Sequence, residues 1–152
     1  GRRALGADDD YDIVTLAADR AASVGRWSLE AGTTLRSQRH GAAIDLAPQQ
    51  LGGVLAMSAF SPGVLGGDHA ATVRALARRP LNEVPWLRLH GGIALEYGGA
   101  WNGDFHDAPA SGLWPVLTGF VALATPLGPL WLVGGVSEEQ RRALHLQLGS
   151  RF

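Results

Sequence analysis

The chain has 152 residues, the size of one domain, with 13 Lys+Arg against 14 Asp+Glu and no Cys. A formal net charge of −1 excludes the basic footprint of a nucleic-acid-binding protein, and the missing thiols exclude disulfide scaffolds, thiol chemistry and Cys-type zinc sites. No run approaches the roughly 18 to 20 apolar residues of a transmembrane helix, whereas 21 Gly, only 18% charged residues and a mean hydropathy of +0.04 suit either a soluble Gly-rich β domain or a transmembrane β-barrel, whose lipid-facing and lumen-facing residues alternate.

Successive side chains of a strand point to opposite faces, so period-two alternation is the main guide. Residues 11–21 put Val14, Leu16 and Ala18 on one face and Thr15 and Asp19 on the other. Residues 26–38 put Trp27, Leu29, Ala31, Thr33 and Leu35 opposite Arg26, Ser28, Glu30, Gly32, Thr34 and Arg36. Residues 54–60 read as a short, mixed strand. Residues 69–79 set Ala71, Val73, Ala75 and Ala77 against Thr72, Arg74 and Arg78, a strand pattern in a composition that favours helix by propensity. The clearest alternation spans residues 86–101. Leu87, Leu89, Gly91, Ile93, Leu95 and Tyr97 share one parity, and Arg88, His90, Gly92, Ala94, Glu96 and Gly98 share the other.

Residues 117–125 alternate Leu117, Gly119, Val121 and Leu123 with Thr118, Phe120, Ala122 and Ala124. Residues 130–137 alternate poorly, because Trp131 and Val133 fall on what should be the wet face. The chain then ends in a strand from about residue 141, with Leu144, Leu146, Leu148 and Phe152 opposite His145, Gln147, Gly149 and Arg151. Ser137-Glu138-Glu139-Gln140 matches a helix capping box, but a helix would scatter these leucines, so it reads as a turn. Pro- and Gly-rich connections, such as Thr125-Pro126-Leu127-Gly128-Pro129, complete an antiparallel up-and-down meander of about eight strands over a single domain, residues 1–152.

Catalytic signals are scarce. The five histidines, His40, His69, His90, His106 and His145, show no ligand-pair spacing. There is neither a nucleophile elbow nor a phosphate-binding loop motif. Asp8-Asp9-Asp10 reads as a solvated loop. Asp104, His106 and Asp107 read as loop polarity, since no nucleophile is anchored beside them. The expectation is no catalytic residue, no cofactor and no metal. Glu96 stands apart. A carboxylate amid Gly and Ala on the small-residue face of a strand needs water or a cation, which a wet lumen supplies and a dry core does not.

Four stretches, in order, resemble one family. Leu51-Gly52-Gly53-Val54-Leu55-Ala56-Met57-Ser58-Ala59-Phe60-Ser61-Pro62-Gly63 is similar to the start of an inward-folding surface loop. Gly91-Gly92-Ile93-Ala94-Leu95-Glu96-Tyr97-Gly98-Gly99-Ala100-Trp101 resembles its acidic-residue, glycine, tryptophan strand. Residues 125–130 resemble the penultimate hairpin, and the last strand closes on Phe152. Together they resemble the C-terminal half of the bacterial surface-antigen barrels. That superfamily includes the barrel-assembly proteins and two-partner secretion transporters. The likeness is greatest to the barrels attached to bacterial patatin-like phospholipases.

The resemblance implies a Gram-negative outer-membrane location and a sixteen-stranded transmembrane β-barrel, of which this chain supplies about the last eight strands. A free-standing eight-stranded barrel is also geometrically allowed. The chain opens with Gly1-Arg2-Arg3 and no signal-peptide pattern, which fits a piece of a longer chain or a processed product. Unpaired edges are not tolerated in lipid, so the strands close on themselves, pair with a second copy or rely on a missing N-terminal half-barrel. The implied function is non-catalytic: anchoring an attached domain such as a patatin-like phospholipase, with insertion or translocation of that domain as a further role. The implied partners are outer-membrane lipid and the barrel-assembly machinery, which reads Leu144, Leu146, Leu148 and Phe152 as a terminal signal.

The site expectations follow. Ser58, Ala59, Phe60, Pro62 and Gly63 belong to the inward-folding loop. Glu96, Arg74, Arg88 and His90 form a polar network in the lumen. Trp27, Tyr97 and Trp101 mark the membrane interface. In many family members an Arg-Gly pair in the loop docks its Arg on the strand acid. Here that position reads Ser58-Ala59, which predicts a neighbouring-strand Arg as the substitute partner of Glu96, from among Arg74, Arg78 and Arg88 with Arg74 the first choice. The alternative is a soluble β-barrel binding a lipid or other apolar ligand, and it requires the reverse coating, with Leu89, Ile93 and Leu95 inside and Arg88 and Glu96 in bulk water.

Overall fold

A computed structural model describes residues 11–40, 49–82, 84, 88–104 and 112–149. Nine strands occur among them: β1 (Tyr11–Val24), β2 (Trp27–His40), β3 (Gln49–Leu51), β4 (Leu65–Gly67), β5 (His69–Pro80), β6 (Leu89–Trp101), β7 (Trp114–Thr125), β8 (Gly128–Ser137) and β9 (Arg142–Leu148). Seven of them form one antiparallel sheet in the order β1-β2-β5-β6-β7-β8-β9, and β3 pairs with β4 in a separate ribbon. The sheet is open, with β1 and β9 as its edges.

The expected strand over residues 54–60 does not form. This stretch is a succession of turns, so the sheet has seven strands where about eight were expected. The cause is local backbone geometry. Gly52 and Gly53 have φ of +122° and +107°, and Leu55 and Met57 follow at +54° and +69°, which breaks any extended run. The Ala- and Arg-rich β5 is a strand despite its composition, because both neighbours pair along it and override propensity.

Alternation is legible through the whole sheet. Ile93 and Leu95 are 59% and 62% exposed, while Ala94 and Glu96, alternating with them, are buried. Leu117, Leu132, Val136, Leu144 and Leu146 extend the same exposed apolar face across β7, β8 and β9. Of the residues on which the two coatings differ, Ile93 and Leu95 are exposed and Glu96 is buried, while Arg88 is exposed and Leu89 half-buried. The other face buries Leu76, Ala94, Phe120, Trp131 and Val133 against Leu55 of the loop between β3 and β4. Met57, Ala59 and Phe60 pack on Val116 beside them. This explains the poor alternation of β8. Trp131 and Val133 do lie on the inner face, but that face is covered by a loop there, not by water.

The ends of the sheet differ. Gly25-Arg26 and Pro126-Leu127 make two-residue turns at one end, joined there by the β5–β6 connection. The opposite end carries the long β2–β5 and β6–β7 loops. The β8–β9 turn also lies at this loop end. Glu139 and Gln140 both have φ near +58° there (+57° and +59°), and the Arg141 N–H donates to the Glu138 carbonyl, a type I′ hairpin. This confirms Ser137–Gln140 as the end of a strand and a turn rather than a helix cap.

Candidate functional site

The site is the tip of the inward loop where it meets the sheet. Glu96, on β6, is 4% exposed. Its carboxylate accepts three hydrogen bonds. The Ser58 hydroxyl donates to Oε1 at 2.7 Å and the Thr118 hydroxyl, from β7, to the same oxygen at 2.5 Å. The Met57 backbone N–H donates to Oε2 at 2.5 Å. Hydrogen bonds to an ionised acceptor are roughly twice as strong as neutral ones, and here they replace the water that burial removes.

Ser58 serves twice, since its Oγ also accepts the Leu55 N–H at 2.9 Å. That bond closes the tight turn that Leu55 and Met57 enter in the left-handed region. Such a conformation costs about 1 to 2 kcal/mol per non-Gly residue and persists only where surroundings hold it. The surroundings here come from all five strands β5 to β9. Arg74 Nη1 on β5 donates to the Leu55 carbonyl at 3.1 Å. His145 on β9 bonds the Ser58 carbonyl through Nε2 at 2.9 Å. On β8, Gly135 lies directly beneath the loop, and a Cβ there would collide with the Ser58 carbonyl carbon and the Ala59 nitrogen.

Aromatic contacts secure the base of the loop. Phe60 stacks at a tilt on Trp114, with centroids 6.2 Å apart. The Arg141 guanidinium lies 4.4 Å from the Trp114 centroid and 5.7 Å from that of Phe60. Pro62 and Gly63, expected as part of the loop motif, are exposed at its far turn.

Arg74 is directly opposite Glu96 in the β5–β6 register, yet it is not the partner of the carboxylate. Besides the Leu55 carbonyl it faces Asp19 of β1, at 3.6 Å. Glu96 is satisfied by two hydroxyls and an amide instead. Arg74 thus links the loop tip to β1 across a cavity of about 710 Å³, which Glu30, Arg36 and Thr34 also line. The wider polar network divides in two. Arg88 and His90 stand at the short-turn end, with His90 six residues from Glu96, or about 20 Å along the strand.

The interface aromatics divide as well. Trp27 and Tyr97 are exposed on the apolar face, at 41% and 49%. Trp101 is buried, contrary to expectation. Gly67 of β4 lies against its backbone and His69 packs on its ring at 5.7 Å, so the ribbon covers the end of β6. Leu144, Leu146 and Leu148 are exposed on β9, while Phe152, the Asp8–Asp10 run, His106 and Asp107 lie outside the described residues. Thr118, Gly135, Arg141 and His145 are members of the site that the sequence did not mark. Period two assigned Thr118 to the inner face, but nothing local named its partner. Among the described residues no cluster of His, Asp and Glu suited to a metal ion occurs. Compared with known proteins, the chain matches no family model, no curated protein and no solved structure.

Proposed function

We propose that the chain is a non-catalytic part of a bacterial outer-membrane β-barrel of the surface-antigen type, anchoring an attached domain such as a patatin-like phospholipase. The observation that carries this reading is the coating of the sheet. Its outer face is a continuous band of exposed Leu, Ile and Val from β5 to β9, and its inner face holds Glu30, Arg74, Arg78 and Glu96 and an inserted loop. Exposed apolar surface on this scale is rare on a soluble monomer and fits contact with acyl chains. Trp27 and Tyr97 toward opposite ends of the band fit the aromatic girdles of such barrels.

Strand parity supports a segment of a larger barrel over self-closure. With seven strands in a meander, β1 and β9 run in the same direction. Joining them directly makes a parallel seam, and so does joining the edges of two copies inserted the same way. An odd number of additional strands restores an antiparallel seam on both sides. The loop latched at Glu96 serves in this reading as an internal plug that fixes the barrel's shape.

The chain has no Cys, so single cysteines report on each face. In the full-length protein in lipid vesicles, cysteines replacing Ile93, Leu95 or Leu144 are expected to resist a water-soluble maleimide and to react with a lipid-soluble one. A cysteine at Thr34 is expected to react with the water-soluble reagent. Ready aqueous labelling at Ile93 and Leu95 overturns the reading.

A further inference from the structure

Charge is distributed unevenly between the ends of the sheet. Asp68, Asp104, Glu138 and Glu139 stand with Arg141 and Arg142 at the loop end, whereas Arg26, Arg78, Arg79 and Arg88 gather at the short-turn end. At the latter, the β1–β2 turn and the end of β5 enclose a polar recess of about 340 Å³, lined by Arg26, Trp27, Arg78, Arg79 and His90. Arg78 is neutralised by Glu30 at 2.8 Å. Arg79 is not. Its guanidinium lies over the Trp27 ring, 5.3 Å from the centroid, and among the described residues no carboxylate is within ion-pair distance of it.

A second feature adjoins the first. Two residues along the strands from Trp27 and Arg79, Leu29 pairs with Ala77, and there the outer face opens into an apolar groove of about 520 Å³. Ala22, Ala31, Ala75 and Ala77 keep it low, and Leu29, Ile93 and Leu95 rise around it. Arg20 lines the same groove together with Glu30, whose carboxylate is engaged by Arg78 at 2.8 Å. A charge there is unfavourable in hydrocarbon unless an anion is at hand.

We infer that the recess and groove together bind an anionic phospholipid. The phosphodiester sits in the recess against Arg79 and Arg26, and one acyl chain lies in the alanine-floored groove past Arg20. A free phosphate leaves the groove empty, and a zwitterionic lipid brings its own cation to a recess already rich in them. The combination of cationic recess and contiguous apolar groove therefore selects an amphiphile with net negative charge. Trp27 marks the level of the headgroups, as an aromatic with a polar edge does at a membrane interface. The inference rests on the outer face meeting lipid, as proposed above.

The test uses the full-length protein, purified in non-ionic detergent and stripped of lipid, with retention read by native mass spectrometry. Phosphatidylglycerol, phosphatidylcholine and inorganic phosphate are the three probes. The wild type is expected to keep one phosphatidylglycerol and neither of the others. Arg26→Gln with Arg79→Gln is expected to weaken retention about tenfold, equivalent to about 1.4 kcal/mol. Ala75→Leu fills the groove and is expected to weaken it with all charges intact, whereas Arg79→Lys retains most of it. Arg142→Gln, at the loop end, is expected to have no effect. Equal retention of both lipids, unchanged retention in the double variant, or equal binding of inorganic phosphate overturns the site. Aqueous labelling of a cysteine at Ile93 overturns this inference and the membrane reading together. Lipid-phase labelling with unchanged retention overturns the site alone.

Discussion

The Ser58 hydroxyl and the Glu96 carboxylate meet at 2.7 Å across 38 residues of chain, and this contact fixes the inward loop to the sheet. A small hydroxyl makes the contact where a longer cation is expected from resemblance. Shortening the donor brings the backbone itself close, so the Met57 amide reaches the second carboxylate oxygen. Charge neutralisation is thereby exchanged for dense hydrogen bonding in a site that excludes water.

Glu96→Ala is expected to destabilise the folded protein by about 3 kcal/mol, because it strands two hydroxyls and an amide away from solvent. Ser58→Ala, which removes one donor and the acceptor of the Leu55 N–H, is expected to cost about half as much. Denaturant unfolding of the protein in lipid measures both. Cleavage by chymotrypsin at Leu55 or Phe60 reports loop release, and it should rise more in Glu96→Ala than in Ser58→Ala.

Two glycines on adjacent strands offer a matched pair. A Cβ at Gly135 meets the Ser58–Ala59 backbone, whereas one at Gly119 meets nothing within 4 Å. Gly135→Ala is expected to lift the loop and raise its chymotrypsin sensitivity. Gly119→Ala is expected to leave it unchanged. Equal sensitivity in the two variants would show that the loop does not rest on β8.

The faces of β9 predict opposite tolerances. Leu146 is 71% exposed on the outer face, and Gln147 follows it on the inner one. In lipid, Leu146→Arg is expected to cost more than Gln147→Arg, by an amount that grows with depth toward about 2 to 4 kcal/mol at a bilayer midplane. Unfolding in vesicles compares them. An ordinary surface position in water would tolerate both.

Arg141 joins the β8–β9 turn to the base of the loop through Trp114 and Phe60. Its removal in Arg141→Ala is expected to cost about 1 kcal/mol, in the range of a partly exposed cation–π pair. The same change is expected to alter the fluorescence of Trp114, read as the difference from a Trp114→Phe background. The effect is expected to be smaller than that of Glu96→Ala, because no buried charge is left unpaired.

Local chemistry alone determined the seven strands of the main sheet and their two faces, though not the β3–β4 ribbon. Glu96 inside and Ile93 outside follow from period two, since neighbouring side chains of a strand cannot share a face. The Leu144-Leu146-Leu148 row settled strand over helix for the same reason. What covers each face is a long-range matter, and only the tertiary structure decided it. Residues 54–60 turn inward because departures from extended backbone at Gly52, Gly53, Leu55 and Met57 are accompanied by bonds to the Leu55 and Ser58 carbonyls from Arg74 and His145, 19 and 87 residues away. The resemblance pointed to a loop there, while alternation pointed to a strand. Trp131 and Val133 look misplaced until that loop lies on them, and Trp101 looks like an interface residue until β4 covers it. Arg74 faces Glu96 across the register, but its choice of Leu55 and Asp19 depends on how closely the loop backbone approaches, a distance that no one-dimensional pattern encodes.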